Sequence, residues 1–407
     1  MDHAPVLDPL ADGFFDDPYS QYARLREHDP VHVTPAGVAI CFAYDDIRQL
    51  LVDPRTSMVP ENAIPTSEHP ARPDTEREPA SLALLGRDPP DHTRLRRLMS
   101  KAFTPRRMNA LSTWMQAEVE RLLTELEARW RADGAPVDLV DDFAFPLPFR
   151  VISEILGMPE GDDAQIRSWA HDVTSATDPL MVTHDQRAAS ADAIRGITDY
   201  VTDEVLPWKR ANMGEDLLSE LLAAWDAGAI TSQRELLDQV TLLYMAGHET
   251  TVGLIGNAVY SLLRNRAQLQ RLQSEPALVP NAIDELNRYD SPVQFGWRIT
   301  VDDMTIRDTK IPGHSMAFVC VGSANRDPEH FGDGADRLDV TRANAGELMS
   351  FGAGIHFCLG AALARREATL AVGELIRRFP DLELAERPEW QHRITFRTLH
   401  HLEVALG

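Results

Sequence analysis

Cysteine is scarce in this chain. Cys41, Cys320 and Cys358 lie far apart in 407 residues and are odd in number, which argues against a disulfide framework and fits a reducing cytosol. There is no Cys-x-x-Cys pair, no His-Glu-x-x-His, no Walker loop, no Gly-x-Gly-x-x-Gly after a strand and no internal repeat. The zinc-protease, P-loop and dinucleotide-fold chemistries therefore have no support here. Positive charge is short as well. Forty Lys and Arg against 63 Asp and Glu leave a net charge of −23, a poor composition for general nucleic-acid binding. The N-terminus, Met1-Asp-His-Ala-Pro-Val6, has neither the basic nor the apolar region that a secretory signal needs.

Long apolar runs are rare too. The exception, Val240 to Leu263, is long enough to suggest a membrane span. His248, Glu249, Thr250 and Thr251 sit in its middle, and a carboxylate at bilayer depth is costly. A central helix buried in a large helical domain accounts for the run better, with Ser232-x-x-Glu235 as a capping box at its start. Within Ala246-Gly-His-Glu-Thr-Thr251, Gly247 is expected to let a ligand approach the backbone. The carboxylate and hydroxyl that follow can disturb the helical ladder and open a groove. An acid beside an alcohol in a dry interior makes Glu249 and Thr250 a candidate proton relay. The plainer alternative is polar residues satisfied by their neighbours.

Apolar residues at 43% and charged residues at 25% describe an ordinary globular protein. Residues 108–230 read as amphipathic helices at about 108–133, 147–157, 162–174, 186–207 and 215–227. Strand-like pieces fall at Val31–Thr34 and Gly37–Phe42. Residues 299–321 alternate like a hairpin punctuated by Ile311-Pro-Gly313, and the tail is strand-like at Ile394–Phe396 and Leu402–Val404. Residues 57–80 carry prolines at 60, 65, 70, 73 and 79, the composition of an irregular loop that is either a lid or disordered.

Between Arg87 and Arg107 seven Lys and Arg face two Asp, a local excess of five in an acidic chain. Leu95, Leu98, Met99 and Ala102 form one helical face, and His92 and Arg96 share another. The cluster reads either as a solvated basic helix or as a divided one. In the second reading His92 and Arg96 point inward to anionic groups of a buried cofactor, and Arg94, Arg97 and their neighbours meet an acidic partner.

Cys358 lies in Phe351-Gly-Ala-Gly-Ile-His-Phe-Cys-Leu-Gly360. Glycines 352, 354 and 360 permit sharp turns and close approach to a flat ligand. The helix-forming run from Ala361 places a positive dipole end beside the sulfur, which is expected to lower its pKa and favour thiolate. A lone thiolate in a bent loop is one way to hold haem iron. A buried core thiol is the alternative, and it is the reading taken for Cys41 and Cys320 in their apolar strand-like runs.

In chain order, Ala246-Gly-x-Glu-Thr250, Glu285-x-x-Arg288 and Phe351-x-x-Gly354-x-His356-x-Cys358-x-Gly360 together resemble the cytochrome P450 family, the haem-thiolate monooxygenases, and the resemblance covers nearly the whole chain. It implies a mainly α fold with a smaller β region. Residues 1–407 would form a single domain, with heme b between the long central helix and the cysteine loop. Cys358 would be the axial ligand. His92, Arg96, Arg298 and His356 would bind the haem propionates, with Ala246, Gly247, Phe351, Gly352 and Gly360 also against the cofactor. Glu249 and Thr250 would deliver protons to dioxygen. Glu285 and Arg288, joined by Arg337 from the later meander, would form a structural network. The substrate would be faced by the 57–85 loop, the helices around 165–190, Leu242, Leu243, Ala246, Val293, Gln294, Phe295, Thr395 and Phe396.

The chain departs from the family pattern in two places. Thr398 stands where a tail glycine is usual, and Glu249 where many members have Asp. The wording around Glu249 is most similar to soluble bacterial members that oxidise macrolides and other secondary metabolites. The implied partners are an apolar small molecule, O2, and a separate ferredoxin and ferredoxin reductase fed by NAD(P)H. The implied setting is cytoplasmic and free of membrane, with the arginines of 94–107 and Arg365 and Arg366 as a docking face. Haem-thiolate coupling or desaturation, a non-catalytic haem-based sensor and a helical protein without haem stand as alternatives.

Overall fold

The longest element is the helix Gln233–Arg264. No proline interrupts it, and the Ser232 hydroxyl caps it by accepting from the Glu235 N–H at 3.1 Å. Glu235 does not complete the expected box: its carboxylate accepts from the Thr231 N–H at 2.7 Å and from Arg94 at 2.6 Å. The computed structural model describes residues 5–63, 81–159, 161, 163–176, 178 and 181–407. Most of the proline-rich 57–80 segment therefore lies outside the described residues.

Eight helices position the site: α1 (Asp91–Met99), α2 (Pro105–Asp133), α3 (Pro146–Leu156), α4 (Asp163–Ser175), α5 (His184–Tyr200), α6 (Gln233–Arg264), α7 (Val279–Tyr289) and α8 (Ala361–Arg378). Helix α6 runs through the middle. It packs on α3 on one side and on α7 and α8 on the other, and α2 covers α8. Val252, Ile255, Val259 and Leu262 of α6 join Leu286 of α7 and Val372 and Leu375 of α8 in one core, which explains the near-continuous apolar run. The expected 186–207 helix begins earlier, at the reciprocal cap between Thr183 and Gln186. It opens into a wide π turn over Val201–Val205, where Pro207 has no N–H to continue the ladder.

The strands are β1 (Val31–Val33), β2 (Ala39–Cys41), β3 (Thr56–Ser57), β4 (Val137–Asp138), β5 (Phe295–Thr300), β6 (Met304–Ile306), β7 (Thr309–Ile311), β8 (Met316–Cys320), β9 (Glu383–Leu384) and β10 (Glu403–Ala405). Five of them form a sheet in the order β1-β2-β8-β5-β3, with only β2 and β8 parallel. The hairpin is β6–β7, turned at Arg307 with φ +52°. Ile311-Pro-Gly313 is therefore the link into β8 and not the hairpin turn. The expected tail strand Ile394–Phe396 is reduced to one bridge between Phe396 and Val293, because the N–H groups of Ile394 and Thr395 go to the Asp178 carboxylate. Cys41 and Cys320 are buried in the core, where burial raises both thiol pKa values, that of Cys41 to about 12. Among the described residues no helix is long and apolar enough to cross a membrane.

Candidate active site

The cysteine loop is fixed by its backbone. The Cys358 N–H donates to the Phe351 carbonyl at 2.9 Å, and the Gly352 N–H to the Met349 carbonyl at 2.8 Å. Gly352 and Gly354 take φ of +69° and +72°, the left-handed region that side chains resist. Gly354 is doubly constrained, since a Cβ there would lie 2.7 Å from the Leu51 carbonyl oxygen. Gly360 needs neither argument: its φ is −87°, and a Cβ would meet no protein atom. Arg365 anchors Phe351 from above, its guanidinium 4.5 Å from the ring centroid and its Nε 2.6 Å from Asp284.

Cys358 is exposed, yet burial raises its thiol pKa against the opposing pull of the Gly360 N–H, Arg96 and Arg365. A raised pKa at an accessible thiol is the result. It corrects the expectation that the α8 dipole alone would favour thiolate. Desolvation wins, and a bound metal cation is what would deprotonate this thiol.

Four nitrogen-bearing side chains from three segments meet nearby. His92, 2% exposed on α1, has its ring 4.4 Å from that of His356, and neither Nε2 has a partner among the described residues. Arg298, on β5, is 7% exposed. Among the described residues its Nη1 donates only to the Trp297 carbonyl at 2.9 Å and, weakly, to Met58 Sδ at 3.0 Å. Arg96 donates to the Phe357 carbonyl at 2.8 Å. Asp88, the nearby acid, is occupied by the Ser57 hydroxyl and the Met58 N–H. Burial lowers the Arg298 pKa to about 10. Burial, then Arg298 and His92, lowers that of His356 to about 3. Buried donors without acceptors are costly, at about 1–3 kcal/mol each. An anion such as a haem carboxylate would satisfy these groups.

On the opposite wall, α6 corrects two expectations. The helix is unbroken through 246–251, and the Thr250 hydroxyl donates to the Ala246 carbonyl at 2.9 Å without opening a groove. The space that a side chain on Gly247 would take is filled by Ile152 of α3. Ala246 is the exposed residue of this turn, with Leu242 and Thr250 half-buried one turn to either side. Leu243 instead belongs to the core, and His248 lies between Phe145 and Phe149 with ring centroids at 4.1 and 5.9 Å. Glu249 is bonded not to Thr250 but to Arg393.

Of the residues expected to face substrate, Val293, Thr395 and Phe396 are half-buried. Gln294 is buried and donates to the Tyr19 hydroxyl and the Ser291 carbonyl, and Phe295 packs against Tyr22 in an aromatic core. These two are core residues, because β5 turns them toward the N-terminal segment. Buried Thr398 packs its methyl group toward Gly253 of α6.

The buried network also differs from expectation. Glu285 and Arg288 are fully buried and pair at 2.7 and 2.9 Å. The third member is Arg342, 3.1 Å from Glu285 and bonded to the Phe331 and Gly334 carbonyls. Arg337 is exposed and, among the described residues, offers the network only its carbonyl, to Arg288 and Arg342. The outward basic set is likewise smaller than expected. Arg94 is held by Glu235, Arg107 by Glu220 and Arg365 by Asp284, which leaves Arg97, Lys101, Arg106 and Arg366 exposed.

Comparison with known proteins agrees with this arrangement. The family description "Cytochrome P450" matches residues 31–395. Cytochrome P450 107B1 of Saccharopolyspora erythraea is 41% identical over 99% of this chain and 98% of its own. The 6-deoxyerythronolide B hydroxylase of the same organism is 35% identical over 98% and 99%. The solved structure of PksS, a cytochrome P450 of the Bacillus subtilis bacillaene polyketide synthase, superposes with a TM-score of 0.86 at 33% identity, covering 99% of this chain and all of that one. The chain belongs to the cytochrome P450 family, as a monooxygenase, and the family implies a haem-thiolate cofactor, O2 and a small-molecule substrate.

Proposed function

We propose that this enzyme inserts one atom of O2 into an apolar polyketide- or macrolide-like molecule, by hydroxylation or epoxidation. Electrons would come from NAD(P)H through a ferredoxin reductase and a ferredoxin. The observation that carries this reading is the pairing of two walls. The exposed Cys358 stands in a loop gripped by Arg96, close to His92, Arg298 and His356, and Ala246, Glu249 and Thr250 lie on α6. The names of two relatives, a hydroxylase and a polyketide-synthase cytochrome P450, support the substrate class.

In this reading Cys358 ligates the iron, and His92, Arg96, Arg298 and His356 take the carboxylates of the cofactor. When bound, haem supplies dioxygen reduction, with the thiolate pushing electron density toward O–O cleavage. Glu249 and the Thr250 hydroxyl move protons into the site. Leu242, Ala246, Val293, Thr395 and Phe396 shape an apolar wall that excludes water. Exposed Arg97, Lys101, Arg106 and Arg366 form the face for an acidic ferredoxin.

A macrolactone panel screened for the haem spin-state shift would select a substrate. Turnover under labelled dioxygen should then place one labelled oxygen in the product. Product without label would replace oxygen insertion by coupling or desaturation. Haem binding without turnover in the presence of reductant and redox partners would leave a sensor.

A further inference from the structure

Glu249 and Thr250 are adjacent on α6, and adjacent helical side chains do not face each other. The Thr250 hydroxyl is already given to the Ala246 carbonyl. The Glu249 carboxylate is held from another direction. Its Oε1 accepts from Arg393 Nη1, and its Oε2 is buried with no partner among the described residues. The pair is largely dry, with side chains 15% and 10% exposed. Desolvating an ion pair is expensive and seldom a net gain in stability, so the contact needs another reason to exist.

Arg393 spans three pieces of the site. Its Nη2 donates to the Thr174 carbonyl in the last turn of α4 at 2.8 Å. Its guanidinium lies 4.8 Å from the centroid of Phe396. The next two residues, Ile394 and Thr395, give their N–H groups to Asp178, just beyond α4. One guanidinium thus touches the acid on α6, the end of α4 and an aromatic ring of the pocket wall. The side chain it grips is Glu, one methylene longer than Asp.

We propose that Arg393 is a positioning residue for the proton relay. It clamps Glu249 by Oε1 and leaves Oε2 as the oxygen that accepts and releases a proton. Because the same guanidinium is seated on Thr174 and Phe396, the placement of the acid depends on how the pocket wall is closed. This rests on the relay reading of Glu249 given above.

The test uses the haem-loaded enzyme reduced by NADPH through a surrogate ferredoxin and its reductase, in air without organic substrate. Two reactions consume NADPH there. One NADPH, one proton and O2 give NADP+ and hydrogen peroxide, and two NADPH, two protons and O2 give two NADP+ and two waters. The measured quantities are NADPH consumption, peroxide yield and the H2O/D2O rate ratio. Glu249→Gln should slow consumption at least about a hundredfold and change the isotope ratio, the scale of a lost general acid. Arg393→Ala should do the same, Arg393→Lys should recover part of the loss, and Arg393→Ala should change the rate less than about twofold in the Glu249→Gln background. Arg393→Gln is read in the same way should the alanine variant fail to load haem. Hydrogen exchange adds a readout independent of turnover: amides of 171–176 should exchange faster in both Arg393→Ala and Arg393→Gln. If Glu249→Gln acts and neither Arg393 variant moves rate or isotope ratio, the positioning role is wrong and the relay stands. If Glu249→Gln itself changes nothing, the relay and this inference fall together.

Discussion

Gly247 on α6 and Ile152 on α3 are in direct contact across the helix pair. A β-carbon on Gly247 would stand 2.5 Å from Ile152 Cδ1 and 3.0 Å from Cγ1. The glycine at this position serves helix packing, so its replacement is a packing experiment. Gly247→Ala gains up to about 1 kcal/mol of helix propensity and loses about 1–3 kcal/mol to overpacking. A net loss near 1 kcal/mol is expected in urea unfolding. Ile152→Val should restore most of it in the double variant, although alone it costs about 0.5–1.5 kcal/mol. A perturbed haem spectrum that Ile152→Val does not relieve would mean that Gly247 meets the ligand after all.

The buried network offers a contrast between two arginines five positions apart. Arg342 pairs with a fully buried carboxylate and with three carbonyls, whereas the Arg337 side chain is exposed and only its backbone is used. Removing one partner from a buried pair costs about 3–5 kcal/mol, and an exposed substitution usually stays within about 0.5 kcal/mol. Arg342→Ala should therefore lower the urea midpoint severely, and Arg337→Ala should leave it nearly unchanged. The reverse order would restore Arg337 to the network.

These two cases mark how far the residues could be read before any fold. The Glu285–Arg288 pair is local, three apart on one helix, and was legible. The choice between Arg337 and Arg342 depends on the path of a meander, which spacing does not encode. Cys358 was legible because two glycines with positive φ leave a pattern in the letters. The opposite placement of Gly247 was not, since a glycine that admits a helix and one that admits a ligand look alike. Arg393 carried no signal, because Glu249 and Thr174, which it bonds, lie 144 and 219 residues away. Gln294 and Phe295 were misplaced because the direction of β5 relative to the N-terminal segment is a tertiary fact.

Acid sensitivity follows from His248. Its ring is buried between Phe145 and Phe149, and burial, then Arg167, lowers its pKa to about 3, against a bond to the Phe145 backbone. The folded pKa is below the unfolded value of about 6.5. The contribution to stability is therefore present above pH 6.5 and is lost as pH falls from there toward 3, where only the unfolded chain takes up the proton. His248→Gln keeps a donor and removes the titration. Between pH 6 and 4 the slope of unfolding free energy against pH should shrink by about 1.4 kcal/mol per pH unit, one proton's worth. An unchanged slope would mean that His248 is charged in the folded protein.

Arg298 yields the most discriminating prediction, because its effect should change sign with the cofactor. Among the described residues the buried guanidinium hydrogen-bonds only to a carbonyl and a thioether, and burial lowers its pKa to about 10 against the pull of Asp88. Replacing such a cation by an apolar residue of similar size is neutral or stabilising. Arg298→Leu should leave the apoprotein at least as stable as the parent in urea unfolding. With haem bound, the same substitution removes a charge-assisted hydrogen bond worth about 1.5–3 kcal/mol. Haem transfer to excess apomyoglobin should then be faster by about 10- to 100-fold. A destabilised apoprotein with unchanged haem transfer would make Arg298 a strand-packing residue and would move the carboxylate-binding role to His92, Arg96 and His356.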